Sequence, residues 1–126
     1  MVIYEIKKFL EKNTGIPAYA ESLPENSEKC FCVTEYASDV NCGYVRRHIQ
    51  VQARGEDYRS AYDIARAAYW LLDSGDEKEI ALLSGATFIG RPSAEPVLTG
   101  YDDNRNAIFT FNAVVHALGI EEELDG

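Results

Sequence analysis

The chain has 126 residues, 46% of them hydrophobic and 11% aromatic, with a formal net charge of −9. That length fits one domain able to bury a core without disulfide or metal staples. The acidic balance disfavours a nucleic-acid groove binder, which needs clustered Lys and Arg against phosphates. No apolar run approaches the roughly 20 residues that span a bilayer.

Residues 1–13 read as a helix, because Val2, Ile3, Ile6, Phe9 and Leu10 recur at spacings of three and four, and Asn13-Thr14-Gly15 followed by Pro17 stops it. Glu5, Lys7, Lys8, Glu11 and Lys12 interrupt any hydrophobic centre there, so the segment is no export signal and a cytosolic protein is the default. Residues 18–28 read as connecting chain, with a short extended piece allowed at 17–21. Residues 29–36, KCFCVTEY, are rich in β-formers, with Cys30, Cys32, Thr34 and Tyr36 on one face and Phe31, Val33 and Glu35 on the other. A hairpin connection over residues 37–44 follows.

The chain is organised around residues 45–73. Val45, Arg47, Ile49, Val51 and Ala53 form a mostly apolar set, and Arg46, His48, Gln50, Gln52 and Arg54 a polar one, which is the period of a strand with one core face and one wet face. After Arg54-Gly55 the period becomes helical through Ala61, Ile64, Ala65, Ala68, Leu71 and Leu72. Asp57 is placed to cap the first turn and Ser74-Gly75 to close the last. Ala61, Ala65, Ala67 and Ala68 predict a close contact with the sheet. Tyr58, Tyr62 and Tyr69 flank the stripe as core edge, the favoured reading, or as anchors of a protein interface.

Residues 75–78 form a charged turn and 79–83 a helical turn or a strand lead-in. Residues 84–91 look extended, weakened by Gly85 and Gly90 and ended by Pro92. Residues 92–100 read as a loop, 101–105 as a tight turn, and 106–118 as a strand with Phe109, Phe111, Ala113 and Val115 on its apolar face. An acidic tail closes the chain. The predicted fold is α+β: a mostly antiparallel four-stranded sheet with two helices on one face, in the order α-β-β-α-β-β, over a single domain at 1–120 and a tail at 121–126.

The search for chemistry finds no phosphate loop, dinucleotide glycine pattern, nucleophile elbow or zinc-ligand series, and neither a cofactor nor a metal is expected. Asp102-Asp103 with His116 is the best acid/base constellation, but aspartates in a turn more often accept backbone hydrogen bonds. Cys30, Cys32 and Cys42 are too few and too ill-spaced for a disulfide framework or a zinc site, and read as small apolar residues. His48 could activate a cysteine only from the same face, and alternation sets it with the polar residues. The basic cluster Arg46, Arg47, His48 and Arg54, set against the acidic tail and the acidic segment at 73–77, suits head-to-tail association.

The stretches QVQARGEDYRSAYDIARAAYWLL and GRPSAEPVLTGYDDNRNAIFTFNAVV resemble the minor capsid or tail-terminator proteins of long-tailed bacteriophages. The likeness spans residues 23–115 and rests on an RG-x-D-Y turn before an alanine-rich helix, a G-R-P loop, and an acidic-Asn-Arg turn before an aromatic strand. The resemblance implies a virion structural protein without catalytic residues. It implies a ring, commonly hexameric, that caps the tail tube and joins head-completion proteins, is assembled in the host cytoplasm, and lets DNA pass without specific binding. It makes Arg54, Gly55, Asp57 and Tyr58 a conformation-setting turn, and Gly90, Arg91 and Pro92 with the loop to Gly100 a contact surface. Charge and resemblance together single out Arg46, Arg47, Arg54, Tyr58, Arg91, Asp102 and Asp103 as candidate subunit-interface residues. The acidic tail, Cys30 and Cys32 depart from the pattern. A small regulatory or ligand-binding dimer, with residues 92–100 over a pocket, is the alternative from a different class.

Overall fold

A computed structural model describes residues 2–20, 22–26, 28–41, 44–75 and 79–118. Helix α1 (Val2–Thr14) leads to β1 (Ala18–Ala20), β2 (Cys30–Asn41) and β3 (Tyr44–Gly55), then to helix α2 (Tyr58–Leu72), and the chain returns through β4 (Ile80–Ala81), β5 (Thr87–Pro92), β6 (Val97–Tyr101) and β7 (Ala107–Leu118). The sheet order is β1-β2-β3-β7-β5-β4, and β6 pairs with β7 beside β5. β1 runs parallel to β2, so the sheet is mixed.

The α+β class and both helices agree with the sequence; the strand count does not. Seven strands replace the expected four, because three of the additions are only two, three and five residues long and carry too little periodicity to read. β6 occupies the second half of the expected 92–100 loop and takes Tyr101 from the expected turn. The hairpin is also longer than expected: β2 continues to Asn41 and β3 begins at Tyr44, so most of residues 37–44 is paired strand rather than connection. Cys42 and the acidic residues at 76–77 and 119–126 lie outside the described residues.

The helices share one face of the sheet, and the core lies between. Val2, Ile3, Ile6, Phe9 and Leu10 of α1 and Ala61, Ile64, Ala65, Ala68 and Leu72 of α2 are buried against Val33, Ile49, Val51, Phe109, Phe111 and Val115. These are the periodic residues of the sequence, the inward positions of β3 and β7 lying opposite one another as Ile49↔Ala113, Val51↔Phe111 and Ala53↔Phe109. Phe9 meets Phe88 edge-on at 5.4 Å, tying the first helix to β5.

Helix α2 begins as its residues dictate. Asp57 Oδ1 accepts the Ser60 amide at 2.8 Å, as expected, but the helix closes at Asp73, which is extended (φ −88, ψ 109), and the positive φ of Gly75 (+57) belongs to the turn beyond it, where its amide donates to Asp73 Oδ1 at 2.9 Å. Two glycines let it lie close: a Cβ on Gly55 would stand 2.4 Å from the Ala61 nitrogen, and one on Gly90 would stand 2.2 Å from the Leu72 carbonyl oxygen. Ser74 then fastens the helix end to β5, its hydroxyl accepting the Gly90 amide and its own amide donating to the Gly90 carbonyl. Gly90→Ala must push Leu72 backbone away from the strand, and Ala65→Trp must part helix from sheet; each is expected to lower stability by about 1–3 kcal/mol, read as a shifted denaturation midpoint.

Candidate functional site

The outward face of the sheet is built by the alternate residues of the same strands. On it lie Cys30, Cys32 and Thr34 of β2 opposite Arg54, Gln52 and Gln50 of β3, which in turn oppose Ile108, Thr110 and Asn112 of β7. This face is not uniformly wet, as its sequence suggested: Arg54 is only 2% exposed and Thr110 is buried.

Arg54 shows why. Its Nη1 donates to the Pro24 carbonyl at 2.7 Å, Nε to the Glu28 carbonyl at 2.8 Å and Nη2 to Asn26 Oδ1 at 3.0 Å, so one guanidinium folds the chain between β1 and β2 down onto the sheet. Tyr19 adds to this by donating to Glu28 at 2.8 Å. On its other side Nη1 of Arg54 pairs with Asp102 Oδ2 at 3.5 Å. Asp102 organises the β6–β7 turn, its Oδ1 accepting the amides of Asn104 and Asn106 at 2.9 and 2.8 Å and its Oδ2 accepting the Asn106 side chain at 3.1 Å. Burial raises its pKa, but the Asn106 and Asn104 hydrogen bonds and the Arg54 charge outweigh that and hold the carboxyl below its ordinary value. A cleft of about 530 Å³ lined by Leu23, Pro24, Glu25, Arg54, Asp102, Asp103 and Asn104 opens there.

The other candidates fall at the opposite end of β3. Asp39 receives Arg46 Nε at 2.6 Å and lies 2.7 Å from His48 Nε2, and these two contacts, Arg46 first, lower its pKa. Arg47 points to the helix side and pairs with Glu35 at 3.3 Å. Arg91 opposes Val114, which opposes His48 across β7, so Arg91 sits on the face of Arg46 and His48. The seven candidate residues therefore divide into Arg46, Arg47 and Arg91 at one end of the sheet, and Arg54, Tyr58, Asp102 and Asp103 at the other. Tyr58 is exposed, with its ring edge 5.0 Å from Phe109; Tyr62 and Tyr69 stand against Phe109 and Phe111 at 5.5 and 5.7 Å, as core edge.

The geometry does not assemble the acid/base constellation. Asp102 precedes β7 and His116 is near its far end, some ten residues and so about 30 Å of strand apart. The cysteine expectation is corrected in one respect: Cys30 and Cys32 oppose Arg54 and Gln52, which places them on the same face as His48, not away from it. His48 is still four residues along β3 from Gln52, and it contacts Asp39 instead. Burial, with the neighbouring Cys30 adding to it, pushes the Cys32 thiol up to about 11; burial also raises Cys30, against a lowering pull from Arg54. Both thiols stay protonated at neutral pH and are poor nucleophiles. The part played by Arg54 in gathering Pro24, Asn26 and Glu28 was beyond sequence reasoning, since carbonyl acceptors carry no residue signature. The strand at Val97–Tyr101 did leave a signal in Val-Leu-Thr, masked by Pro96 and Gly100.

These features define a structural subunit, an α+β domain whose buried polar groups serve its own architecture. A family model described as bacteriophage tail terminator protein matches residues 7–118, and the chain belongs to that family, one of virion tail structural proteins. Among curated proteins none matches the chain. No helix of the described residues is long and apolar enough to cross a membrane.

Arg54→Met strands the Pro24 and Glu28 carbonyls and the Asp102 carboxylate, and a loss of about 2–4 kcal/mol in chemical denaturation is expected. Because the native pKa of Asp102 is lowered, its contribution is complete above the ordinary value of 3.8 and disappears as pH falls through the native value. Asp102→Asn should therefore flatten the acid limb of the stability profile, and an unchanged limb would place the acid sensitivity elsewhere.

Proposed function

We propose that this chain is the ring-forming subunit that caps the phage tail tube, ends its polymerisation and presents a surface to the head-completion proteins. The observation that carries this reading is the family match over residues 7–118, which takes in α1 from Lys7 onward, all of α2 and every strand of the described residues. The distribution of candidate contact residues supports it. A closed ring requires two different patches per subunit that meet head to tail, and the separation of Arg46 and Arg91 from Tyr58 and Asp103 supplies two such ends, while Arg47, buried on the helix side with Glu35, serves the fold. Arg54 serves the second end indirectly, by holding the turn that displays Asp102 and Asp103.

Assembly takes place in the host cytoplasm, and the finished ring sits at the head–tail junction with six subunits. DNA passes through it unbound: a formal charge of −9 displayed in part toward the lumen repels phosphates and favours sliding over capture. The tail at 121–126 adds four of the acidic residues beyond the 1–120 domain.

Particle mass and electron microscopy test the reading directly. Purified protein, alone or with tail tubes, is expected to give rings of five or more subunits seated on tube ends. A stable dimer that leaves the tubes bare would favour a regulatory or ligand-binding domain instead. Duplex DNA titrated at low salt should show no binding; micromolar affinity that falls steeply with salt would remove the repulsive-lumen reading.

A further inference from the structure

Strand edges left uncovered point to how the copies join. β1 pairs only with Phe31, Cys32 and Val33, so the outer edge of β2 from residue 34 to residue 41 has no strand beside it among the described residues. On the opposite side of the sheet β6 pairs only with β7, and its outer edge is likewise uncovered. β5 is different, because Ser74 closes its edge at Gly90. β1 and β4, at the two ends of the sheet path, expose edges of only three and two residues; the two longer open edges among the described residues lie at diagonally opposite corners: β6 is beside the Ala107–Thr110 half of β7, whereas the free part of β2 pairs with the portion of β3 that opposes the other half.

An open edge is ordinarily protected by charge or proline. β6, Val-Leu-Thr-Gly-Tyr, contains neither, and its one irregularity is a bulge between Leu98 and Gly100. In the free part of β2 the charge of Asp39 is drawn back along the sheet by Arg46 and His48. Exposed apolar side chains gather at these same places. Of the nine large hydrophobic residues exposed among the described residues, Tyr36 and Val40 flank the β2 edge, and Val97, Leu98, Tyr101 and Tyr58 flank the β6 edge, with exposures from 38 to 72%. Six of nine at two edges is a concentration that a lone subunit has no reason to maintain.

We propose that neighbouring copies of this chain join by strand pairing, the outer edge of β6 in one copy lying along residues 37–41 of β2 in the next. This rests on the ring reading above. The lengths match, since residues 37–41 are the regular stretch beyond the β2 bulge at Glu35/Ala37, and β6 is five residues long. A second copy is the occupant because each edge supplies half of one contact. A two-fold pairing of β6 with β6 would leave Tyr36, Val40 and the β2 edge uncovered, whereas the head-to-tail pairing buries both apolar clusters and satisfies both rows of backbone groups in one interface. Because the two edges lie at opposite corners, the contact repeats from subunit to subunit without obstructing itself.

The test uses the full chain carrying Cys42→Ser, with either Ser38→Cys or Val97→Cys, and a short bis-maleimide. Mixed subunits should be linked one to one, neither variant should link to itself, and a chain with both substitutions should give a ladder up to the ring. Val40→Lys with Val97→Lys, both exposed, should abolish rings while leaving the melting temperature unshifted. Val97→Cys subunits linked to one another, or intact rings without linkage and indifferent to the lysines, would overturn the edge pairing and leave the ring standing. Wild-type protein that stays monomeric, alone and on tail tubes, would overturn the ring itself together with the pairing.

Discussion

The end of β3 is the point on which the structure turns. Arg54 and Gly55 are neighbours in a strand and so face opposite sides of the sheet. Gly55, without a Cβ, lets the first turn of α2 approach to a distance that any other residue would obstruct. Arg54, on the reverse, fastens the chain at Pro24, Asn26 and Glu28 and reaches Asp102 of the β6–β7 turn. One pleat thus fixes the helix layer on one side and the covering chain on the other. A register slip of one residue would exchange the two and destroy both.

The same pleat explains how polar residues are used. Those on the outward face of β3 were candidates for recognition, yet only some are available for it. Arg54 is engaged on every nitrogen, Arg46 and His48 converge on Asp39, and Arg47 lies on the helix side with Glu35. Groups considered for chemistry are engaged too, Asp102 as a turn acceptor and the two buried thiols held protonated. Of the large apolar side chains that remain exposed, most lie at strand edges, the kind of surface suited to assembly.

Membership of the tail terminator family gives that surface a context. Under the ring reading proposed above, such a subunit needs faces that meet copies of itself and other faces that meet different proteins. The open edges of β2 and β6 are separated by the width of four strands, and α2 reaches the second of them through Tyr58. Trp70, exposed on α2 with Arg66 5.6 Å over its ring, belongs to the helix layer.

Where local pattern sufficed, the residues alone were enough. The buried faces of α1 and α2, the Asp57 cap and the core alternation of β3 and β7 follow from periodicity and from side-chain chemistry within a few residues. Gly90 was legible as a weak spot in its strand and Gly55 as a turn, but neither as a point of contact with Leu72 or Ala61, because that depends on where a helix comes to rest. β1 and β4 were legible only as an extended piece and a strand lead-in, and β6 escaped, for a related reason: strands of two to five residues hold their shape only through hydrogen bonds to a neighbour already in place. Tertiary structure alone decided that Arg54 is an anchor, that the cysteines share a face with His48, and that two strand edges are left open, since each is a relation between segments far apart in the chain and none is a property of either segment by itself.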